Sequence, residues 1–527
     1  MGSVISNFYQ TVGTSEATQV AVLALLRDMR VKEMSCIEWC HIEQYIINIP
    51  KGKNILSIQS ENGYNLLQEA IGFNCVELVK WILNRGCDVN WGACSLPLHI
   101  AALHGTKEIV ELLLKHGACV DLKARMCFPG THNQDCKLKS CNVPGMGVPD
   151  WNSDRLQSAE YYAIDSDQSE ILELLLEQKK YSWLPWHQKF PLLYLACERG
   201  AWNCTRFLVA ERSDEINQCY DEYYPIHQAA MQDLKFLEIL LQCGADVLVK
   251  TATQQMTVLH VVLLSGRKSA KATLQTLKML LDHGCRELIN EPDTLGNTPL
   301  HALIVRYALE ESQFGYAQKN SPWDKWDMLH MARYLLQNGA SPSINHQGNS
   351  ALACVLRHIQ DWEFRYELLE MLLENGGNPN SVGQDGSVPL MVCLAPLINK
   401  DPLQFLSHHK KVFYLNSVLL LCKYGANPNC SCRSNLTPMH ILVITASECI
   451  ILFKEELKNQ ALAFIRKLLV ILLQHGLDPN VQFSEEYEHI PCGLSQNDYM
   501  RQHGFDPNIQ LSQLYEHVHH TLMDMAA

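Results

Sequence analysis

Residues 95–121 read SLPLHIAALHGTKEIVELLLKHGACVD, and this stretch decides the fold class. Pro97 suits the first turn of a helix, where a missing N–H leaves no hydrogen bond unmade. The small side chains of Ala101 and Ala102 allow that helix to pack closely against its neighbours. The following EIVELLL segment places aliphatic residues on one broad face of a second helix. Gly117 then supplies the left-handed residue that ends it, so the stretch predicts two short helices in tandem.

The same pattern returns along most of the chain. Variants of its opening stand at residues 224–227, 257–260, 298–301 and 437–440. The glycines that end the second helix are Gly86, Gly117, Gly244, Gly284, Gly339, Gly376, Gly425 and Gly476. Poorer copies fill residues 65–90, 158–180, 191–217, 350–380 and 388–429. We therefore predict about ten repeats between residues 57 and 480.

This pattern resembles the ankyrin repeat, which carries T-P-L-H, a small-residue helix and then L-L-x-x-G-A. The resemblance implies an all-α solenoid of helix-turn-helix repeats, each burying its apolar face against its neighbours. Finger-like hairpins join each repeat to the next in that family. Residues 1–56 are expected to form an N-terminal segment and helical cap, and residues 481–527 a C-terminal cap or tail. In the family, the histidine of T-P-L-H braces adjacent hairpins, a role expected here for His99, His227, His260, His301 and His440.

Several repeats are longer than the one at residues 95–121. The spacing from histidine to glycine is 18 residues from His99 to Gly117, but 38 from His301 to Gly339 and 36 from His440 to Gly476. The excess must lengthen the two helices or the loop between them. We predict extended repeats at residues 291–345, 381–429 and 430–480, and protrusions along one edge of the array.

A separate insertion occupies residues 122–155 and contains a cluster of potential metal ligands. Cys127, His132, Cys136 and Cys141 follow a C-x4-H-x3-C-x4-C spacing, and zinc prefers four such ligands. Familiar structural sites use closer pairs, so free thiols in a polar loop remain the alternative. The chain has 21 cysteines and no evident export signal, which indicates reduced thiols and no disulfide framework. No resident cofactor is predicted.

The composition and motifs argue against several function classes. The formal net charge is −13, without the concentrated cationic face that nucleic-acid binding requires. No run of apolar residues is long enough to cross a bilayer. We find no nucleophile elbow, phosphate-binding glycine loop, H-E-x-x-H motif or kinase signature set. We therefore predict that the protein is not an enzyme.

The N-terminus begins Met1-Gly2-Ser3-Val4-Ile5-Ser6, which matches the pattern for N-myristoylation at Gly2. One acyl chain gives only marginal membrane binding, and no polybasic stretch follows to reinforce it. The predicted location is the cytoplasm, with the nucleus as an alternative and peripheral membrane association if Gly2 is acylated.

Ankyrin solenoids are overwhelmingly protein-binding modules, so the resemblance implies a monomeric scaffold or adaptor with one or more protein partners. Exposed aromatic residues are the best candidates for partner contact. The candidates in the hairpins are Trp91, Trp183, Trp186, Tyr220 and Tyr223, with Asp221 and Glu222 beside them for a basic partner; the insertions add Trp151, Trp323 and Trp326.

A second interpretation is a substrate-recognition subunit of a cullin-RING ubiquitin ligase. Ankyrin families with that function place a short helical box after the array or late in it. Residues 417–422, Ser-Val-Leu-Leu-Leu-Cys, loosely resemble such a box, although they coincide with a second helix of the repeat.

Overall fold

A computed structural model of the chain describes residues 64–92, 95–124, 157–179, 191–265, 269–314, 323–343, 349–383, 385–399, 408–432, 436–452, 455–479, 520 and 523–524. The chain divides into two compact units. Unit 1 comprises residues 1–220 and 224–245, and unit 2 comprises residues 221–223 and 246–527. The expected caps at residues 1–56 and 481–527 lie outside the described residues, apart from three positions near the C-terminus.

Unit 1 contains five helix pairs among its described residues. The bounds are α1 Leu66–Gly72 with α2 Val76–Leu83, α3 Pro97–His104 with α4 Lys107–Lys115, α5 Ala159–Asp165 with α6 Ser169–Lys179, α7 Leu192–Arg199 with α8 Trp202–Glu211, and α9 Pro225–Met231 with α10 Leu234–Gln242. The first helix of each pair is here called the inner helix, and consecutive inner helices of the unit pack against each other. The second, outer helices form a parallel row of their own.

Unit 2 repeats this plan with longer helices. The pairs are α11 Val258–Leu264 with α12 Ala270–Asp282, α13 Pro299–Phe314 with α14 Lys325–Gln337, α15 Ala351–His358 with α16 Trp362–Glu374, α17 Pro389–Leu394 and α18 Pro396–Asn399 with α19 His408–Lys423, and α20 Pro438–Leu452 with α21 Glu455–Gln474. Its inner and outer helices again pack in two rows. The helix-pair solenoid that the sequence predicted is therefore confirmed.

The amphipathic pattern of the quoted stretch explains its packing. The first six residues of α3, from Pro97 to Ala102, are all buried because neighbouring inner helices flank them. In α4 only Ile109, Val110 and Leu113 are buried, while the rest of the helix faces solvent or lies at the margin. Gly117 has φ +88°, and the other seven glycines predicted to end outer helices also have positive φ.

An asparagine in the finger, the segment that joins an outer helix to the next inner helix, ties consecutive repeats together. Asn290 donates from Nδ2 to the carbonyl of Gly339 at 2.9 Å and accepts at Oδ1 from the backbone N–H of Ser341 at 2.8 Å. Asn380 bridges to Gly425 and Asn427 in the same way. Each bridge joins the finger of one repeat to the glycine that follows the next outer helix and to the residue two positions after that glycine.

The expected histidine braces are confirmed where the ring reaches the next finger. His99, His260 and His301 hydrogen bond through Nε2 to the carbonyls of Gln157, Asn297 and Asn349 at 3.2, 2.9 and 3.1 Å. The rings of His227 and His440 accept at Nδ1 from the backbone N–H that begins their own helix, each at 3.1 Å. In α1 a glutamine takes the same role, because Gln68 accepts from the Asn65 N–H and donates to the Ser95 carbonyl.

Part of the excess length of the later repeats enters the helices. The pair α20 and α21 has 15 and 20 residues, against 8 and 9 in α3 and α4. An aromatic series packs between the longer helices of unit 2. Tyr307 lies 4.4 Å from Phe364 between ring centroids, Trp362 lies 5.7 Å from Tyr414, and Tyr414 lies 5.8 Å from Phe464. These rings give the added turns a core of their own.

The insertion after α4 begins and ends at one point of a finger. Ala124 and Gln157 form an antiparallel bridge, with N–H···O distances of 2.9 and 3.1 Å in the two directions. The Tyr162 hydroxyl also donates to the Ala124 carbonyl at 3.2 Å. Residues 125–156, with Cys127, His132, Cys136, Cys141 and Trp151, lie outside the described residues.

Candidate partner-binding surface

The fingers and the exposed sides of the inner helices form the candidate surface in each unit. In unit 1, Tyr220 is 36% exposed and its ring lies 5.3 Å from that of Tyr194 in α7. Gln228 in α9 donates to the Tyr194 hydroxyl at 2.9 Å. This packing holds Tyr220 in place at the surface, as a partner contact requires.

An arginine and a tyrosine from two inner helices of unit 1 form a cation–π pair on this surface. The Arg199 guanidinium in α7 lies 5.1 Å from the ring centroid of Tyr161 in α5 and hydrogen bonds to its hydroxyl. Arg199 also pairs with Asp165 at 3.1 Å and remains 40% exposed. This group was not predictable from the sequence, because Tyr161, Asp165 and Arg199 come from two poor copies of the repeat that do not indicate which side chains are exposed.

The acidic pair of unit 2 has two different environments. Asp221 is exposed and has φ +54°. The Glu222 carboxylate accepts from the backbone N–H groups of Thr253 and Gln254, at 3.2 and 3.1 Å, and from the Thr253 hydroxyl. The Thr253 hydrogen bond lowers the pKa of Glu222, so this carboxylate stays ionised while it braces the next finger. Tyr223 is half-buried.

The candidate tryptophans occupy contrasting positions. Trp91 is half-buried, and its carbonyl accepts from the Asn65 side chain at 3.4 Å. Trp323 is only 4% exposed and lies under the Arg306 guanidinium, 3.5 Å from the ring centroid. It packs inside unit 2 and does not face solvent. Trp326 is 60% exposed. Trp183, Trp186 and the acylation candidate Gly2 lie outside the described residues.

Aliphatic side chains in the fingers of unit 2 are more exposed than the predicted aromatic residues of the fingers that the structure describes. Leu295 is 65% exposed and Val382 is 63% exposed, while Leu248 is 45% exposed. Leu295 stands in a tight turn, where the Asp293 carboxylate accepts from the N–H groups of Leu295 and Asn297. The sequence signal for this position is an apolar residue within a polar turn, which a prediction based on aromatic residues does not include.

Several cysteines of the described residues are buried and unreactive. Burial raises the pKa of Cys197, Cys285 and Cys393 to about 12, so these thiols stay protonated near neutral pH and are poor nucleophiles. Within the part of the chain that the structure describes, no three His, Cys, Asp or Glu residues are grouped to hold a metal ion. None of the described helices is both long and apolar enough to span a membrane.

The box-like segment at residues 417–422 lies within α19, as the repeat pattern predicted. Val418 and Leu421 are fully buried, and Ser417 and Cys422 are nearly so. Only Leu419 is exposed. The segment is therefore a packed part of the outer row and presents one side chain to solvent.

The family model for ankyrin repeats (three copies) matches residues 36–124 and 161–251. These ranges contain the helix pairs, helix-ending glycines and histidine braces of unit 1. The chain contains ankyrin repeats. Unit 2 has the same paired rows, although its longer helices lie beyond the matched ranges.

Two relatives are similar to the chain over short segments. The chain is 36% identical over 96 residues to the E3 ubiquitin-protein ligase hecd-1 of Caenorhabditis elegans. This matched segment covers 16% of this chain and 4% of that protein. The chain is 37% identical over 75 residues to the E3 ubiquitin-protein ligase Ufd4 of Drosophila melanogaster, covering 14% and 3%. The chain thus spans a small part of both relatives. The crystal structure of the human ASB11 ankyrin repeat domain is 18% identical with a TM-score of 0.32, covering 51% of this chain and 97% of that one.

Proposed function

We propose that this protein is a non-enzymatic adaptor that binds partner proteins through its fingers and inner helices. The observation that carries the proposal is the exposure of Leu295 and Val382, which the packing of the fold does not use. Large side chains held at the surface of a rigid scaffold are suited to partner contact, since little entropy is lost on binding. We further propose that it acts as a cytoplasmic monomer.

The test is a double substitution in the fingers of unit 2. We expect Leu295→Asp with Val382→Asp to lose partners in quantitative affinity purification from cells, because charged side chains oppose apolar contact. The thermal unfolding midpoint should stay near that of the wild type, since both positions are exposed. Leu457→Asp is the matched control, because Leu457 is an exposed leucine in the outer helix α21. An unchanged set of partners in the double variant would contradict the proposal.

The ligase alternative receives less support from the structure. The segment that resembles a cullin-adaptor box is buried in α19 and would have to unfold to bind. The two ubiquitin ligases in the comparison match over 4% and 3% of their own length, so their activity does not carry over to this chain. Recovery of an elongin or a cullin in the same purification would favour the alternative.

A further inference from the structure

Trp326 is exposed without a structural reason within its own repeat. It lies in the first turn of α14, where Asp324 caps the helix through the Asp327 N–H at 2.8 Å. The neighbouring Trp323 is buried under Arg306, whereas the Trp326 side chain is 60% exposed. Tryptophan has the largest apolar surface of any side chain and is enriched where proteins bind one another.

This position is separate from the finger surface. The finger after α14 begins at its C-terminal end, beyond Gln337, while Trp326 stands at the other end. Eleven residues of helix separate these points by about 17 Å. The preceding inner helix, α13, contributes Leu309, which is 53% exposed. The lengthened pair α13–α14 therefore carries its own exposed apolar residues.

Carboxylates dominate the surroundings of Trp326. Asp324 and Asp327 flank it in α14, and Lys325 stands between them. The Lys325 ammonium lies 3.0 Å from Glu363 Oε2 and 5.5 Å from the Trp326 ring centroid. The hydrogen bond to Glu363, with Asp361 and Glu367 nearby, raises the pKa of Lys325. The carboxylates of Asp361, Glu363 and Glu367 thus act on the Lys325 ammonium, and Asp324 and Asp327 add two more carboxylates close to Trp326 in the sequence.

We propose that Trp326 and these carboxylates bind a basic, arginine-containing segment of a partner protein. A guanidinium group stacks on the face of an indole and is attracted by the surrounding negative charge. The chain uses the same pairing internally, because Arg85 lies 3.7 Å from the Trp81 ring centroid and Arg365 lies 4.3 Å from that of Trp362. This surface deepens the proposed adaptor function, on which it rests, by adding a second binding site away from the fingers.

The test measures peptide binding to the full-length chain by fluorescence anisotropy. The probe is a short fluorescein-labelled peptide of alternating arginine and serine, compared with lysine–serine and glutamate–serine versions. We expect the arginine peptide to bind most tightly, because guanidinium stacks better and is more weakly hydrated than ammonium. Trp326→Ala should weaken that binding by about tenfold or more, and Trp326→Phe should retain part of it.

Two controls separate this site from general attraction to an acidic protein. Trp326→Ala leaves the net charge unchanged, so non-specific binding persists in that variant. Tyr424→Ala removes an exposed aromatic side chain elsewhere in unit 2 and should bind the peptide as the wild type does. Equal affinity of Trp326→Ala and wild type for the arginine peptide would overturn the proposal.

The same peptide distinguishes this inference from the finger-binding proposal. The double finger variant Leu295→Asp with Val382→Asp should keep the difference between the arginine and lysine peptides, because its substitutions lie outside the Trp326 surface. If the finger variant retains every partner in cells while Trp326→Ala loses the peptide, the finger proposal fails and the Trp326 site stands.

Discussion

His301 is a neutral imidazole at the base of a finger. Its Nδ1 lies 2.8 Å from the Thr298 hydroxyl, and its Nε2 donates to the Asn349 carbonyl at 3.1 Å. Burial lowers the pKa of His301 to about 4, and that of His99 equally. The unfolded chain takes up the proton near pH 6.5. The stability from this group is therefore full above pH 6.5 and declines as the pH falls from 6.5 towards 4.

We predict that stability falls between pH 7 and pH 5, by about 2 kcal/mol for each such histidine. His301→Gln should lose its share of this pH dependence while preserving the brace, since Gln68 makes equivalent hydrogen bonds in α1. Thermal unfolding midpoints at the two pH values provide the measurement. His116→Gln, at an exposed position, is the control. A pH dependence identical in wild type and His301→Gln would rule out this origin.

At the scale of elements, the asparagine bridges connect each finger to the next outer helix. We predict that Asn290→Ala destabilises the fold by about 1 kcal/mol, because the Ser341 N–H and the Gly339 carbonyl exchange their protein partner for water. Asn290→Ser is the matched control and should cost less, since Ser343 makes the corresponding bonds to Gly376 and Asn378. Urea unfolding midpoints measure the loss of stability in each variant. An equal loss in Asn290→Ala and Asn290→Ser would contradict the role of the bridge.

The features that the sequence predicted are those that depend on the residue itself or on the regular repeat around it. The helix-ending glycines were predictable because only a residue tolerant of positive φ fits there, and the histidines because their partners lie in a repeating finger. The burial of Trp323 was not predictable, because it depends on Arg306, which reaches Trp323 from α13. Likewise, the role of Glu222 depends on Thr253 and Gln254 in the following finger.

At the scale of the whole molecule, a repeat contacts only its neighbours, so damage should stay local. Phe364 is fully buried and packs on Tyr307, so Phe364→Ala should remove several kcal/mol from its own repeat. We predict faster hydrogen exchange in α13, α15 and α16 and unchanged exchange in α1 to α6. Mass spectrometry of the full-length chain measures this. A uniform increase across all described helices would show a single cooperative unit instead.

The closed base of the insertion also bears on how such a chain diverges. Because Ala124 and Gln157 are bonded to each other, the ends of residues 125–156 meet whatever lies between them. The entropic cost of bringing the ends of a segment together rises only slowly with the length of the segment. Natural variation, or an engineer inserting a reporter domain, can therefore change this segment freely while the helix pairs on either side keep their contacts.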